Sequence, residues 1–424
     1  MATDALRGTA GYAWPAVPRL PRICGNTGGL IWTGKYLQTP FQGISVRICT
    51  MKSIFFVVNE AWFFLSHRLP LALEAQKRGY FVKVVCRSNS GEERLREYNI
   101  EYELVDIERG TASLISEFRL LRQLQKIYKS EKPDLVHHIT SKPVICGTIA
   151  ARLASVHGVV NAIPGRGFVA NRRGFVARIR KFMIDRVYQL ALAHKNMAVV
   201  FQNRDDANAF VDGGLVRSSE SHLIRGAGVD LLEYPCLPEA DGPVTFSLVS
   251  RMLKDKGVRE FVQAAGDVGK EHPNWIFQLV GGVDKGNPSS LDEETLSGWN
   301  ESGVVRWLGH SDNIASVLQS SHVVCLPSYG GEGIPKVLLE ASASGRVIIT
   351  TDISGCRELV RDGVNGLLIK PRDSEALAGA MRKLGIDAPL RQKLSAAARV
   401  KTEALFSVED VVADTFLVYE GLLN

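Results

Sequence analysis

The sequence has no run of 18 consecutive apolar residues, so no membrane-spanning helix is expected. It also lacks a cysteine pattern. The seven cysteines, at 24, 49, 86, 146, 236, 325 and 356, are odd in number and never spaced C-x-x-C. That excludes a disulfide scaffold, and runs such as 323–326 (Val-Val-Cys-Leu) predict reduced, buried thiols in a cytosolic protein. There is no H-E-x-x-H, no P-loop and no G-x-S-x-G. Charge of one sign is scarce beyond the start of the chain. Residues 1–50 hold five basic residues (Arg7, Arg19, Arg22, Lys35, Arg47) against Asp4, and the rest is nearly balanced. The pI near 8.9 therefore does not indicate a nucleic-acid partner, and no aromatic-basic platform appears.

What remains is an ordinary globular composition long enough for two or three domains. Residues 1–50 are rich in Gly, Pro and Thr and show no sustained period. They lack a clean n-region, h-region and cleavage site. They are expected to be a non-native or disordered extension, with the natural start at Met51. From there short apolar runs alternate with amphipathic stretches. Strands are expected at 54–58, 81–86 and 134–138, and helices at 66–78 and about 112–130. That rhythm predicts a parallel sheet covered by helices. Three prolines in 233–243 mark an interdomain linker. The rhythm restarts with strands at 244–250, 275–280, 323–327 and 347–350, and ends in an amphipathic helix over 407–423. The reading is two α/β domains, 51–235 and 243–406, with a cleft between them, and a final helical segment, 407–424. Ligands in such sheets sit beyond the carboxyl ends of strands.

The loop after the 323–327 strand is the richest stretch. Gly330, Gly331 and Gly333 let backbone approach a ligand, and Pro335 suits the first turn of a helix. Free N–H groups at that helix start favour a diphosphate or a sugar hydroxyl. Glu332 lies in the loop and Glu340 in the helix, where Lys336 shares its face. A capped helix with a surface ion pair is the plainer reading. Arg251 and Lys256 flank a turn after the 244–250 strand. They are either a solvated basic turn or cations placed for a departing diphosphate. Gly281-Gly282 and Leu308-Gly309-His310 also follow strands, as turns or as backbone contacts to a nucleotide.

The segment E-G-x-P-K-V-L-L-E-A, with Thr350–Glu358 and Asp362–Leu368 after it, resembles the donor-binding region of glycosyltransferase family 4. The resemblance implies a GT-B fold, two Rossmann-like α/β/α domains with the acceptor on the first and the nucleotide sugar on the second, and a last helix crossing back to the first. It implies that Glu332 lies beside the donor sugar and that Glu340 holds the ribose, with Gly333, Ile334 and Pro335 around them. It places Arg251 and Lys256 on the diphosphate, and Gly281, Gly282, Leu308 and His310 around the nucleotide. It implies retention with UDP as the leaving group. No D-x-D triplet is present, so no metal is required, and no cofactor is expected besides the UDP-sugar donor.

On the acceptor side, F-F-x-S-H-R-L-P, with His67 and Arg68, resembles members that build O-antigen, capsule or protein-linked glycans on a lipid diphosphate. His138 and Lys142, in H-H-I-T-S-K-P, are read as facing the same acceptor. The expected activity is transfer of a sugar, such as an N-acetylated hexose, to a polyprenyl-diphosphate-linked glycan. The alternative is a nucleotide-sugar-converting enzyme, such as an epimerase, on the same fold. Gly165–Ala170 fits G-x-G-x-x-A but no strand of a chain-opening β-α-β unit precedes it, so it reads as an acceptor-side loop rather than an NAD site. Residues 172–195 are basic and amphipathic. Val176, Ile179, Met183, Val187 and Leu190 are expected to pack on the core, leaving the basic face for anionic lipid. That predicts a peripheral enzyme on the inner face of the cytoplasmic membrane. Asp205-Asp206 read as a helix start.

Overall fold

A computed structural model describes residues 32–33, 36–37, 51–88, 90–107, 113–163, 165 and 175–424, the side chains of 32–33, 36–37 and 175–181 excepted. Two units separate, Met1–Thr50 and Met51–Asn424. In the first, β1 (Trp32–Thr33) pairs antiparallel with β2 (Tyr36–Leu37). Every other described element belongs to the second.

Seven parallel strands build its first sheet: β3 (Ser53–Val57), β4 (Phe81–Cys86), β5 (Glu101–Leu104), β6 (Leu135–Ile139), β7 (Gly158–Ile163), β8 (Met197–Phe201) and β9 (Ser221–Leu223). Their spatial order is β5-β4-β3-β6-β7-β8-β9. Apolar residues run without alternation because both faces are covered. Phe56 faces a core closed by α1 (Ala61–His67) and α2 (Leu69–Lys77). Phe55 faces another, closed by α3 (Leu114–Glu131), α4 (Thr148–Leu153), α5 (Phe175–Ala191) and α6 (Arg204–Asp212).

The expected helix over 66–78 is two helices. Arg68 leaves helical geometry (φ −134°, ψ −2°), and Pro70 sits in the first turn of α2, where its missing N–H is harmless. In α6 the Asp205-Asp206 start is present, with Asn203 capping it through the Asp206 amide.

The second sheet is parallel, in order β12-β11-β10-β13-β14-β15. Its strands are β10 (Thr245–Val249), β11 (Ile276–Val280), β12 (Arg306–Trp307), β13 (Val323–Leu326), β14 (Val347–Thr351) and β15 (Leu367–Ile369). Helices α7 (Val258–Glu271), α8 (Glu293–Glu301), α9 (Ile314–Gln319), α10 (Lys336–Ala343), α11 (Ser354–Leu359), α12 (Ser374–Ile386) and α13 (Ala388–Leu405) surround it. The last helix, α14 (Val408–Leu423), returns to the first sheet. Its Phe416, Tyr419, Leu422 and Leu423 complete the core that contains Phe56. The expected crossing is therefore observed.

One expected face is reversed. In α5 the residues turned to the core are Ile184, Tyr188 and Ala191, followed by Leu192 just past its end. Met183, Val187 and Leu190 are exposed. Val176 and Ile179 lie among side chains outside the described set, as do Arg172, Arg173, Arg178, Arg180 and Lys181. Of the Gly165–Ala170 segment only Gly165 is described. Four of the five described cysteines are buried, and Cys236 is exposed.

Candidate active site

Two loops meet at the carboxyl ends of neighbouring strands β10 and β13. After β10 a single 3-10 turn, Lys254–Lys256, ends at Gly257 (φ +76°). A side chain on Gly257 would put its Cβ 2.2 Å from the Pro327 carbonyl oxygen, so only glycine lets this turn lie against the end of β13. The Asp255 carbonyl then accepts from the Tyr329 amide (2.9 Å). This stitching brings Lys256 to Glu332.

The Lys256 ammonium pairs with Glu332 Oε1, and the Ser328 hydroxyl donates to the same oxygen at 2.8 Å. Both charged side chains keep a little solvent access, 17% and 16%. Burial works against a charge on Glu332. Lys256, then Ser328 and Arg251, outweigh it and hold the carboxyl below its ordinary range. Arg251 itself is more open. Its guanidinium meets Asp284 Oδ2 at 2.6 Å and lies 5.7 Å from the Trp62 ring centre.

Glu340 is buried in α10. Lys336 Nζ lies 2.7 Å from its Oε1, and the Tyr234 hydroxyl donates to the same oxygen at 3.1 Å. The pair at i, i+4 is thus part of a buried cluster rather than a solvated one. Gly333, Ile334 and Pro335 run between the glutamates. The Ile334 amide donates to Gln202 Oε1 of the first domain (2.9 Å), and Pro335 is the N-cap of α10 rather than its first residue.

The strand-end glycines serve the fold. Gly281 (φ +142°) would carry a Cβ 1.8 Å from the Ser250 carbonyl oxygen, and its own carbonyl accepts from Trp307 Nε1 at 2.9 Å. The Gly282 carbonyl accepts from the Met252 amide at 3.0 Å. Leu308 is half exposed, and His310 is open, 3.2 Å from Asp312. Among the described residues no group of three His, Cys, Asp or Glu is placed to hold a metal ion.

The family described as "Glycosyl transferase 4-like" matches residues 53–203, and "Glycosyl transferases group 1" matches 243–387. One relative is the N,N'-diacetylbacillosaminyl-diphospho-undecaprenol alpha-1,3-N-acetylgalactosaminyltransferase of Campylobacter jejuni. It is 27% identical over 85% of this chain and 98% of its own length. Another is the UDP-Gal:alpha-D-GlcNAc-diphosphoundecaprenol alpha-1,3-galactosyltransferase of Escherichia coli, 28% identical over 74% of this chain and 76% of its own. Among solved structures, Anabaena Alr3699/HepE in complex with UDP matches with a TM-score of 0.70. It covers 87% of this chain and 100% of its own at 18% identity, a likeness of fold. The chain belongs to the family 4 type of GT-B glycosyltransferases.

In this transferase the expected acceptor-side residues divide. His67 stacks on Phe63 with ring centres 4.1 Å apart. Its Nδ1 lies 3.2 Å from the Phe63 carbonyl, which only accepts, so Nδ1 carries the proton and Nε2 is an acceptor. Burial, then the charges of Arg68, Lys336 and Lys256, push its pKa down to about 3. Arg68 is buried and donates to the Gly226 carbonyl at 3.3 Å, tying α2 to the segment that leads into the second domain. Lys142 is paired with Glu117 at 2.9 Å.

His138 is a correction. Strand alternation turns it into the core behind β6, fully buried. Its Nδ1 lies 2.9 Å from Asn161 Oδ1 and its Nε2 3.0 Å from the Tyr128 hydroxyl. Gly147 packs against the ring, where an added Cβ would meet it at 2.4 Å, so the imidazole is sealed within the core. Its neighbour His137 points the other way, 2.6 Å from the Tyr419 hydroxyl of α14.

Burial, against the Asn161 hydrogen bond, lowers the His138 pKa to about 4. Between that value and the ordinary 6.5 the unfolded chain binds a proton that the folded chain does not. Stability therefore falls as pH drops through this window, by up to about 1.4 kcal/mol per pH unit from this group. The expected NMR result is a flat His138 imidazole shift from about pH 8 to about pH 5. Titration near 6.5 would contradict the buried neutral ring.

Sequence reasoning missed Ser328, Asp284, Tyr234 and Gln202. Ser328 follows Pro327 at a strand end and carries a positional signal. The others contact the site from distant segments and carry none.

Proposed function

We propose that this enzyme is a retaining transferase that moves a sugar from a UDP-sugar to a polyprenyl-diphosphate-linked glycan during surface polysaccharide synthesis. The reading includes an N-acetylated hexose as donor sugar and action at the inner face of the cytoplasmic membrane. The names of the Campylobacter and Escherichia relatives support the acceptor and nucleotide classes. The observation that carries the reading is the Lys256–Glu332–Ser328 cluster, one helix turn and a loop away from Glu340.

The unliganded cluster is electrically balanced. A bound diphosphate takes Lys256 from Glu332 and Arg251 from Asp284, so two cations face the leaving group. Glu332 is then released to accept hydrogen bonds from the donor sugar. The anomeric C–O bond to phosphate breaks, the acceptor oxygen bonds to the same face of that carbon, and the departing phosphate oxygen takes the hydroxyl proton. Glu340 accepts from the ribose hydroxyls.

The test is nucleotide release by the full chain across UDP-, GDP- and ADP-sugars, with and without a polyprenyl-diphosphate-linked sugar. Acceptor-dependent UDP release, with the product anomer matching the donor, is the expected result. Isomerised donor without transfer would move the enzyme to the epimerase class.

For Glu340→Gln, loss of a charge-assisted hydrogen bond of ~1.5–3 kcal/mol predicts UDP binding weaker by about 10- to 100-fold. Calorimetric titration of UDP and of 2'-deoxy-UDP separates causes. The wild type should prefer UDP and the variant should discriminate far less. An undiminished preference in the variant refutes the ribose role.

A further inference from the structure

The exposed face of α5 has a counterpart. At the head of α3, Leu114 is 89% exposed, Ile115 73% and Phe118 58%. On α5, Leu190 is 68% exposed, with Phe182, Met183 and Val187 beside it. Both helices pack on the short helical segment Pro143–Gly147, so the two apolar stripes belong to one layer. Seven large apolar side chains on a single layer exceed the scattered exposure of ordinary surfaces.

Charge accompanies them. Arg119, Arg122, Lys126 and Lys129 continue the exposed side of α3 away from its apolar head. Among the described residues none of the four is paired with a carboxylate. Glu117 near that head is turned to Lys142, and Asp106 accepts from Gln123 Nε2 at 3.0 Å. Each stripe also sets an arginine over its phenylalanine, Arg122 at 5.1 Å from the Phe118 ring centre and Arg186 at 5.0 Å from that of Phe182. Apolar side chains flanked by unpaired cations match the boundary of an anionic bilayer.

Position adds to this. In a parallel β-α-β chain the helix starts at the carboxyl edge of the sheet, where the ligands of this fold sit. The head of α3 is at that edge, as its ion pair to Lys142 just beyond β6 shows.

We propose that α3 and α5 form a lipid-docking face. The apolar head of α3 and the outer stripe of α5 enter the headgroup boundary, and the α3 cations hold anionic headgroups. This rests on the lipid-linked acceptor proposed above. It adds an orientation, with the α3 and α5 side of the first sheet towards the bilayer.

The test uses the full chain and sedimentation with phosphatidylcholine vesicles, pure or with roughly one part in three phosphatidylglycerol. Binding is expected to favour the anionic vesicles. The Arg122→Gln/Lys126→Gln variant should lose about fivefold in partition coefficient per cation on anionic vesicles, and nothing on neutral ones. The Leu114→Ser/Ile115→Ser/Phe118→Ser variant should lose binding to both. Each variant should keep wild-type turnover on a short-chain, water-soluble acceptor and lose it on an acceptor embedded in vesicles. Unchanged vesicle binding by either variant overturns the proposal. So does a dimer, seen by light scattering, that the triple variant dissolves, because the face would then belong to a second copy. Vesicle binding is read without sugar substrates. A protein that docks but transfers nothing refutes the proposed reaction and leaves the docking face standing.

Discussion

Lys256→Met is expected to lower kcat by about 10²–10³-fold, the scale seen when one fixed electrostatic group is removed from a developing anion. The site explains why this lysine outranks the other cations. It is held by the Gly257 turn against Pro327, and only a small part of it reaches solvent. Its charge therefore acts at short range with little screening. Arg251 is more open and shares its charge with Asp284, so Arg251→Gln should cost less. Removing Lys256 also leaves the Glu332 carboxylate with the Ser328 hydroxyl and the weaker field of Arg251. An uncompensated charge in a mostly buried place destabilises the fold and raises the Glu332 pKa. Lys256→Met/Glu332→Gln removes both charges. It should regain stability in urea unfolding, with turnover still as low as in the single variant. A double variant with wild-type turnover would show that the pair only supports the loop.

This separation of stability from turnover matters because sequence alone left two readings for the same residues. The strand-helix rhythm was legible because parallel strands buried on both faces read as unbroken apolar runs, as in Phe81–Cys86. The weakest strand, Glu101–Leu104, was not, since it lies at an edge and its side chains are largely exposed. The candidate site was legible because one short segment holds both glutamates. His138 was not. A histidine at a strand end looks the same in sequence whether it faces ligand or core, and only its fit against Gly147 and Asn161 decides. The α5 face failed for a different reason. Met183, Val187 and Leu190 and, one position on, Ile184, Tyr188 and Ala191 trace two apolar stripes on the same helix. Periodicity finds both, and only the tertiary neighbours choose between them.

Gly355→Ala is expected to weaken donor binding and lower turnover by about 10²-fold while leaving the second sheet intact. Gly355 lies in the first turn of α11 and its backbone is not left-handed, so the constraint is space rather than conformation. A Cβ there would stand 1.4 Å from the Gly333 carbonyl oxygen and 2.7 Å from that of Glu332. Neither neighbour is a flexible side chain. The loop must move by more than an ångström, carrying Glu332 away from Lys256 and breaking the hydrogen bond from the Ile334 amide to Gln202 Oε1. Overpacking of this kind costs about 1–3 kcal/mol in stability. The displacement alone costs about 10²-fold in rate, because a 1 Å misplacement does so at a reacting centre. The control is Gly379→Ala in the middle of α12, where an added Cβ meets nothing within 4 Å. That change should stabilise the protein by about 0.5–1 kcal/mol through helix propensity and leave turnover unchanged. A Gly355→Ala enzyme that still binds UDP like wild type would mean that the 331–334 loop yields freely. The position of Glu332 would then be set by the ligand rather than by α11.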